Sequence, residues 1–179
     1  LMLAAIGLEG GAQAGAPNAK YSVELSSEVA GYGDIITVNI NLEMDPAGQG
    51  FLGLSNAAFN TFVVDPLGPT GSIDLSSPGL GLAPDWMPLG TPGAVAGDDI
   101  LGTVAGQFPV TNPNQFVNLM TFEYEVTDAT SRSIVFDVVP VQLVQVYGNS
   151  LFDIQDYTTE SCGAILQVHA LPAPGALAM

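Results

Sequence analysis

Between residues 36 and 43 the chain alternates strictly, with Ile36, Val38, Ile40 and Leu42 on one side and Thr37, Asn39, Asn41 and Glu43 on the other. A period of two sends successive side chains to opposite faces of an extended backbone, so this stretch is a strand with one dry and one wet face. Tyr21, Val23 and Leu25 alternate in the same way with Ser22, Glu24 and Ser26, and Gly31-Tyr32-Gly33-Asp34 supplies a turn between the two runs. They form the clearest hairpin-like pair in the chain. Nowhere do apolar residues recur at helical spacing over a dozen positions, so helix is a minor component.

Further along, Asp45-Pro46 and Gly48-Gln49-Gly50 end the second strand, and Phe59-Asn-Thr-Phe-Val-Val-Asp65 is the next, closed by Pro66. Residues 67–106 are interrupted by Pro69, Pro78, Pro84, Pro88 and Pro92 and by many glycines. They predict a long Pro/Gly-rich surface excursion with short strand pieces such as 71–75. Trp86 lies inside it, between Pro84-Asp85 and Met87-Pro88. Two readings are open for that indole: it stacks on a sugar ring, or it pins the loop onto the body, and pinning is the expected one. In residues 116–126, Leu119, Thr121, Glu123 and Glu125 alternate with Met120, Phe122, Tyr124 and Val126. Residues 134–146 are a β-branched run in which Pro140 should mark a bulge or an edge. Residues 151–157 and 164–169 are the last strand candidates.

One domain is what 179 residues allow. The charge balance excludes more than the length does. Lys20 and Arg132 are the only fixed cations against 18 carboxylates, a formal net charge of -16. Such a surface repels nucleic acid and anionic membrane, because phosphate binding needs clustered Lys and Arg. It favours cations instead. Cys162 is the only cysteine, so the chain holds no disulfide within itself, and a lone thiol is expected to be buried and inert or paired between chains.

Catalysis has little to stand on. The single His169 is a strand histidine near the end of the chain, and Glu123 with Glu125 fall on one strand face, the solvent face, without an evident opposing wall. No catalytic residue is assigned and no enzyme is expected. Calcium is the candidate cofactor, since oxygen donors are abundant; its candidate ligands are Asp98 and Asp99 in one turn and Asp153 with Asp156. No Asp-x-Asp-x-Asp-Gly loop is present, so solvated loop acids are the simpler reading.

Two segments together resemble the cohesin-like branch of immunoglobulin-type sandwiches. They are Val29-Ala-Gly-Tyr-Gly-Asp-Ile-Ile-Thr-Val-Asn-Ile40, similar to that family's Gly-Asp-x-hydrophobic-Thr-Val turn and strand, and the run from Phe59 to Asp65-Pro66. The downstream Leu119 to Val126 and Ile134-Val-Phe-Asp137 also fit. The resemblance covers residues 21–137 and implies a jelly-roll-like β-sandwich of about nine strands, used for protein docking or carbohydrate contact. Many short strands separated by Gly and Pro turns lead to the same all-β class.

The two ends carry their own signals. Leu171-Pro-Ala-Pro-Gly-Ala-Leu-Ala-Met179 resembles the opening of a PEP-CTERM sorting motif at Pro172, Pro174 and Gly175, with Ala173 in place of the acidic residue. That resemblance implies export to the outer surface of a Gram-negative-type cell. Residues 1–8 are apolar and Ala12-Gln13-Ala14 is a small-x-small triplet, which is either the remnant of a secretory signal or a donor strand for a neighbouring subunit. An eight-residue run is too short to span a bilayer, so no stable membrane insertion is expected. The division is therefore 1–16 as an apolar segment, 17–170 as the sandwich and 171–179 as the start of the sorting motif. The function expected is a secreted structural protein, a homo-oligomer or filament subunit joined by strand addition through Leu1, Leu3, Ala5, Ile6 and Leu8. The alternative is a cell-surface module that binds exopolysaccharide by stacking on Trp86, Tyr147 and Tyr157.

Overall fold

A computed structural model describes residues 16–87, 89–108 and 112–170. Thirteen strands among them join in one hydrogen-bonded sheet. In chain order they are β1 (Asn18–Leu25), β2 (Val29–Ala30), β3 (Ile35–Asp45), β4 (Gly53–Val64), β5 (Gly71–Asp74), β6 (Gly81–Leu82), β7 (Ala94–Ala96), β8 (Asp99–Gly106), β9 (Phe116–Val126), β10 (Arg132–Pro140), β11 (Val144–Tyr147), β12 (Ile154–Cys162) and β13 (Ala164–Val168). The fold is all-β, as the period of two requires, and the sheet closes on itself as a sandwich.

The front layer sets β1, β3 and β9 side by side, with β5 and β6 on the far edge of β9. The back layer runs β2-β13-β10-β4-β8-β7, and β11 continues along β4 where β10 stops. β12 belongs to both layers: residues 154–157 pair antiparallel with β11, and residues 158–162 pair parallel with β1. One strand thus stitches the two sheets along one side.

The alternating residues face each other across the space between the layers. Tyr21, Val38, Ile40, Leu42, Phe122 and Tyr124 of the front meet Phe59, Ile134, Phe136 and Leu166 of the back, all fully buried. Two ring contacts tie the layers directly, Tyr21 to Phe59 with centroids 5.5 Å apart and Tyr124 to Phe136 edge-on at 5.2 Å. Paired rings of this kind add about 0.5–1.5 kcal/mol beyond their buried area.

The expected pairing of the first two long runs is present as β1 against β3, in register from Asn18↔Asp45 to Leu25↔Val38. Other expectations are corrected. The strands outnumber the nine anticipated because β2, β6 and β7 are only two or three residues long, too short to show a period. Residues 99–106, assigned to the surface excursion, form β8 and bury Ile100, Thr103 and Ala105. Glycines hid that strand. Gly93, at φ +83°, brings the loop against it so closely that a Cβ would sit 2.8 Å from the Leu101 carbonyl, which only glycine tolerates. Leu119 was placed on the wet face but is buried, because a bulge opposite Ile40 and Asn41 adds one residue to β9 and inverts its phase beyond that point. Pro140 ends β10, and the expected strand at 151–157 begins only at Ile154.

Candidate docking surface

The two layers show different chemistry to solvent. On the front, the register builds rows of polar side chains: Ser22, Asn41 and Asn118 in one, and Glu24, Asn39 and Thr121 in the next. They hydrogen-bond among themselves, Asn118 Nδ2 to Asn41 Oδ1 at 3.2 Å, Asn41 Nδ2 to Glu24 Oε2 at 3.2 Å and the Thr121 hydroxyl to Asn39 Oδ1 at 2.8 Å. Glu123 and Glu125 lie on this face as expected, beside Ile35, Ser72 and Asp74, on an open surface.

The back is apolar. The outward side of β4 carries Phe62 and Val64, that of β10 Val135 and Val139 with Asp137 between them, that of β13 Ile165 and that of β8 Leu101. Val64, Val135 and Ile165 stand directly across from one another in a single row. Exposures of 59% for Val64, 52% for Ile165, 40% for Val139 and 39% for Leu101 leave several large apolar side chains of one face open to solvent. Neighbouring polar side chains are turned to local partners. Asn60 Oδ1 accepts the Gly102 N–H at 2.8 Å, and the Ser133 hydroxyl donates to Gln167 Oε1 at 2.9 Å.

One end of this face is fixed by a buried ion pair. Arg132, the first residue of β10, places Nε 2.9 Å from both carboxylate oxygens of Asp65, the residue after β4. Their side chains are only 4% and 1% exposed. Arg132 also donates to the carbonyls of Asp128 and Thr130 and to the Thr70 hydroxyl, and Asp65 accepts the Leu67 N–H at 2.9 Å. Burial pushes the Asp65 carboxyl up, but the Thr70 hydroxyl, the Leu67 amide and the Arg132 guanidinium outweigh it and hold it below the usual range. Its contribution to stability is therefore present above the ordinary carboxylate range and lost as pH falls through the depressed value.

Asp98 sits beside this pair with the opposite sign. It is buried, and its Oδ2 accepts the Gly71 N–H at 3.0 Å. Burial is the largest cause that raises its pKa, the Gly71 amide works against that, and the nearby Asp65 and Asp99 charges raise it further. A carboxyl with a raised value in the fold opposes folding above that value, and the opposition disappears as pH falls into the ordinary carboxylate range. Asp98→Asn keeps an acceptor for Gly71 and removes the charge. It is expected to raise the thermal midpoint at pH 7 by about 2–4 °C, the response to about 1 kcal/mol at this size. Calorimetry at about pH 3.5 should show no such gain.

The sites expected from sequence are redistributed by the fold. Trp86, Tyr147 and Tyr157 offer no stacking face, being 1%, 5% and 0% exposed. Trp86 ends the 3-10 turn Pro84–Trp86, and its Nε1–H donates to the Asn118 carbonyl at 2.8 Å, so it pins the loop onto β9. The Tyr147 hydroxyl donates to the Gln107 carbonyl. The four candidate calcium ligands are already used as acceptors: Asp98 by Gly71, Asp99 by the Val63 N–H, Asp153 by the Asn149 N–H and Asp156 by Gln145. Among the described residues no group of three or more His, Cys, Asp or Glu is placed to hold a metal ion. Cys162, expected to be buried, is exposed at the end of β12 because the chain turns there into β13. His169 is exposed, and its N–H donates to the Ala30 carbonyl. The donor residues Leu1, Leu3, Ala5, Ile6 and Leu8 and the motif Pro172, Ala173, Pro174 and Gly175 lie outside the described residues.

The back face itself was not assigned from sequence, although a signal existed. Phe62-Val63-Val64, Ile134-Val135-Phe136 and Val138-Val139 break the alternation by being apolar at consecutive positions. Such strands have an apolar residue left over for the outside once the core is filled.

No family model matches the sequence, and no curated protein matches it. Solved structures do match the fold. The seventh ScaB type I cohesin from Pseudobacteroides cellulosolvens superposes with a TM-score of 0.55 at 12% identity, over 88% of this chain and 96% of that one. A chain of a type I cohesin–dockerin complex from Clostridium thermocellum superposes with a TM-score of 0.54 at 12% identity, over 84% of this chain and 99% of that one. The sandwich is thus cohesin-like in architecture.

Proposed function

We propose that this chain is an extracellular, non-catalytic docking domain that binds a protein partner through the outward face of β13, β10, β4 and β8. The observation that carries the reading is the row Val64, Val135 and Ile165, an apolar strip across three adjacent strands. Rigid strands present it, and burying exposed valine and isoleucine is the commonest source of association energy. The cohesin-like architecture supports the reading, since one of the similar structures is described as a cohesin–dockerin complex. The export-like termini support an extracellular setting. The partner's chemistry follows from this surface: an apolar strip edged by Lys or Arg, because the chain itself carries a net charge of -16.

The test uses the full chain as bait for secreted proteins of its source, with quantitative mass spectrometry as readout. Val64→Ser/Ile165→Ser should lose a partner that wild type captures, while Glu123→Gln/Glu125→Gln on the front face should retain it. All four positions are outward, so neither pair perturbs the core. Equal capture by the two variants would sink the assignment of the face.

A further inference from the structure

The seam between the two layers is filled at one end by β12 and at the other by β2, and it is open between them. β1 pairs with β12 only as far as Ser22↔Cys162, and β13 pairs with β2 only at Gln167 and Val168. Residues 23–25 and 163–166 therefore face one another with no strand between them, across a groove of about 690 Å³ lined by Val23, Glu24, Leu25, Glu28, Ile165 and Gln167 among others. No backbone hydrogen bond crosses it among the described residues.

Alternation decides which backbone groups point into the groove. The Ser26 N–H donates to the Thr37 carbonyl on β3, whereas the Pro17 carbonyl on the opposite side accepts the Thr158 N–H from β12. Even-numbered residues of β1 thus turn their N–H and C=O toward β3, and odd-numbered ones turn away from it. Leu25 presents both groups to the groove and Val23 its C=O, the Val23 N–H being taken up in the last rung with β12 at Ser22↔Cys162. On β13, Gln167 and His169 donate to the carbonyls of Glu28 and Ala30 on the β2 side, so by the same parity Ile165 turns its N–H and C=O that way as well. Two strand edges with unmatched donors and acceptors face a common space, which is the condition under which an extended segment is taken up by backbone pairing.

We infer that this groove accepts an extended segment of another protein by strand addition, in line with β12, and that Lys or Arg in the segment meets Glu24 and Glu28 at its rim. Both glutamates are exposed, and no cation is among the lining residues. The charge of -16 disfavours a second copy of this body as occupant. Affinity would come from the main chain and charge preference from the two rim acids. The groove adjoins the apolar face and shares Ile165 with it.

The test titrates the isotope-labelled full chain with acetyl-Thr-Lys-Val-Lys-Val-amide and with the same peptide N-methylated at its central valine, read by amide NMR. Shifts are expected at Val23, Leu25 and Ile165 and slowed hydrogen exchange at Leu25 and Ile165, with affinity about fivefold lower for the N-methylated peptide, the loss of one hydrogen bond. Glu24→Gln/Glu28→Gln should weaken binding about three- to tenfold, and the difference should shrink in about 0.5 M salt. Val64→Ser/Val139→Ser, on the apolar face and outside the groove lining, should leave this binding in place. No shift at those amides with peptide at about 10 mM, equal binding of the N-methylated peptide, or self-association of the chain at the groove would each overturn the inference.

Discussion

Arg132→Met is expected to cost about 3–5 kcal/mol, because it leaves the Asp65 carboxylate buried and without its cation. In thermal unfolding this is a fall of about 6–20 °C at this chain length. The guanidinium is 4% exposed and satisfies Asp65, Thr70 and two carbonyls of the turn before β10 at once. Lysine cannot replace it, since an ammonium group does not match the planar fork. The partner dependence separates an ion pair from mere packing. Asp65→Asn should cost much less in the Arg132→Met background than in wild type, and a double-mutant cycle that came out additive would show that the two side chains do not act together. Because Asp65 directly follows Val64 and Arg132 opens β10, loss of the pair should also loosen the end of the apolar face where Val64 and Val135 meet.

Trp86→Ala is the second large effect, expected at about 3–5 kcal/mol. The indole is 1% exposed, and its removal both opens a cavity under the Pro-rich loop and leaves the Asn118 carbonyl without its donor. Trp86→Phe should recover the apolar part and lose about 0.5–1.5 kcal/mol for the hydrogen bond. Chemical unfolding followed by circular dichroism measures both, since the chain has one tryptophan and fluorescence vanishes with it. A fully stable Trp86→Ala variant that lost polysaccharide binding would reinstate the stacking role that burial argues against.

The strands were legible wherever a clean period of two ran for seven or more residues, as from Ile36 to Glu43. Such a run has one low-energy solution, an extended segment with a dry side. Legibility failed in two ways. β8 is interrupted by Gly102 and preceded by a glycine-rich loop, so its strand character comes from pairing with β4 and not from its own sequence. Leu119 was put on the wrong face because a bulge is a two-strand event, invisible in either strand alone. The candidate sites followed the same logic. Tyr147 and Tyr157 read as stacking aromatics yet are core residues, whereas Trp86 pins its loop as the sequence leads one to expect. The apolar back face was visible as broken alternation in β4 and β10, but which of the consecutive apolar residues faces outward depends on register.

From its residues alone this protein was determined to be an acidic, all-β chain with one domain, no internal disulfide and no basic surface for nucleic acid, because periodicity, charge and cysteine count are properties of the chain itself. The pairing of Arg132 with Asp65, the exposure of Cys162, the apolar row across β13, β10 and β4, and the open seam between β1 and β13 were decided only by the tertiary structure. Each requires residues separated by dozens of positions to meet, and strand order and register, which no local pattern encodes, are what bring them together.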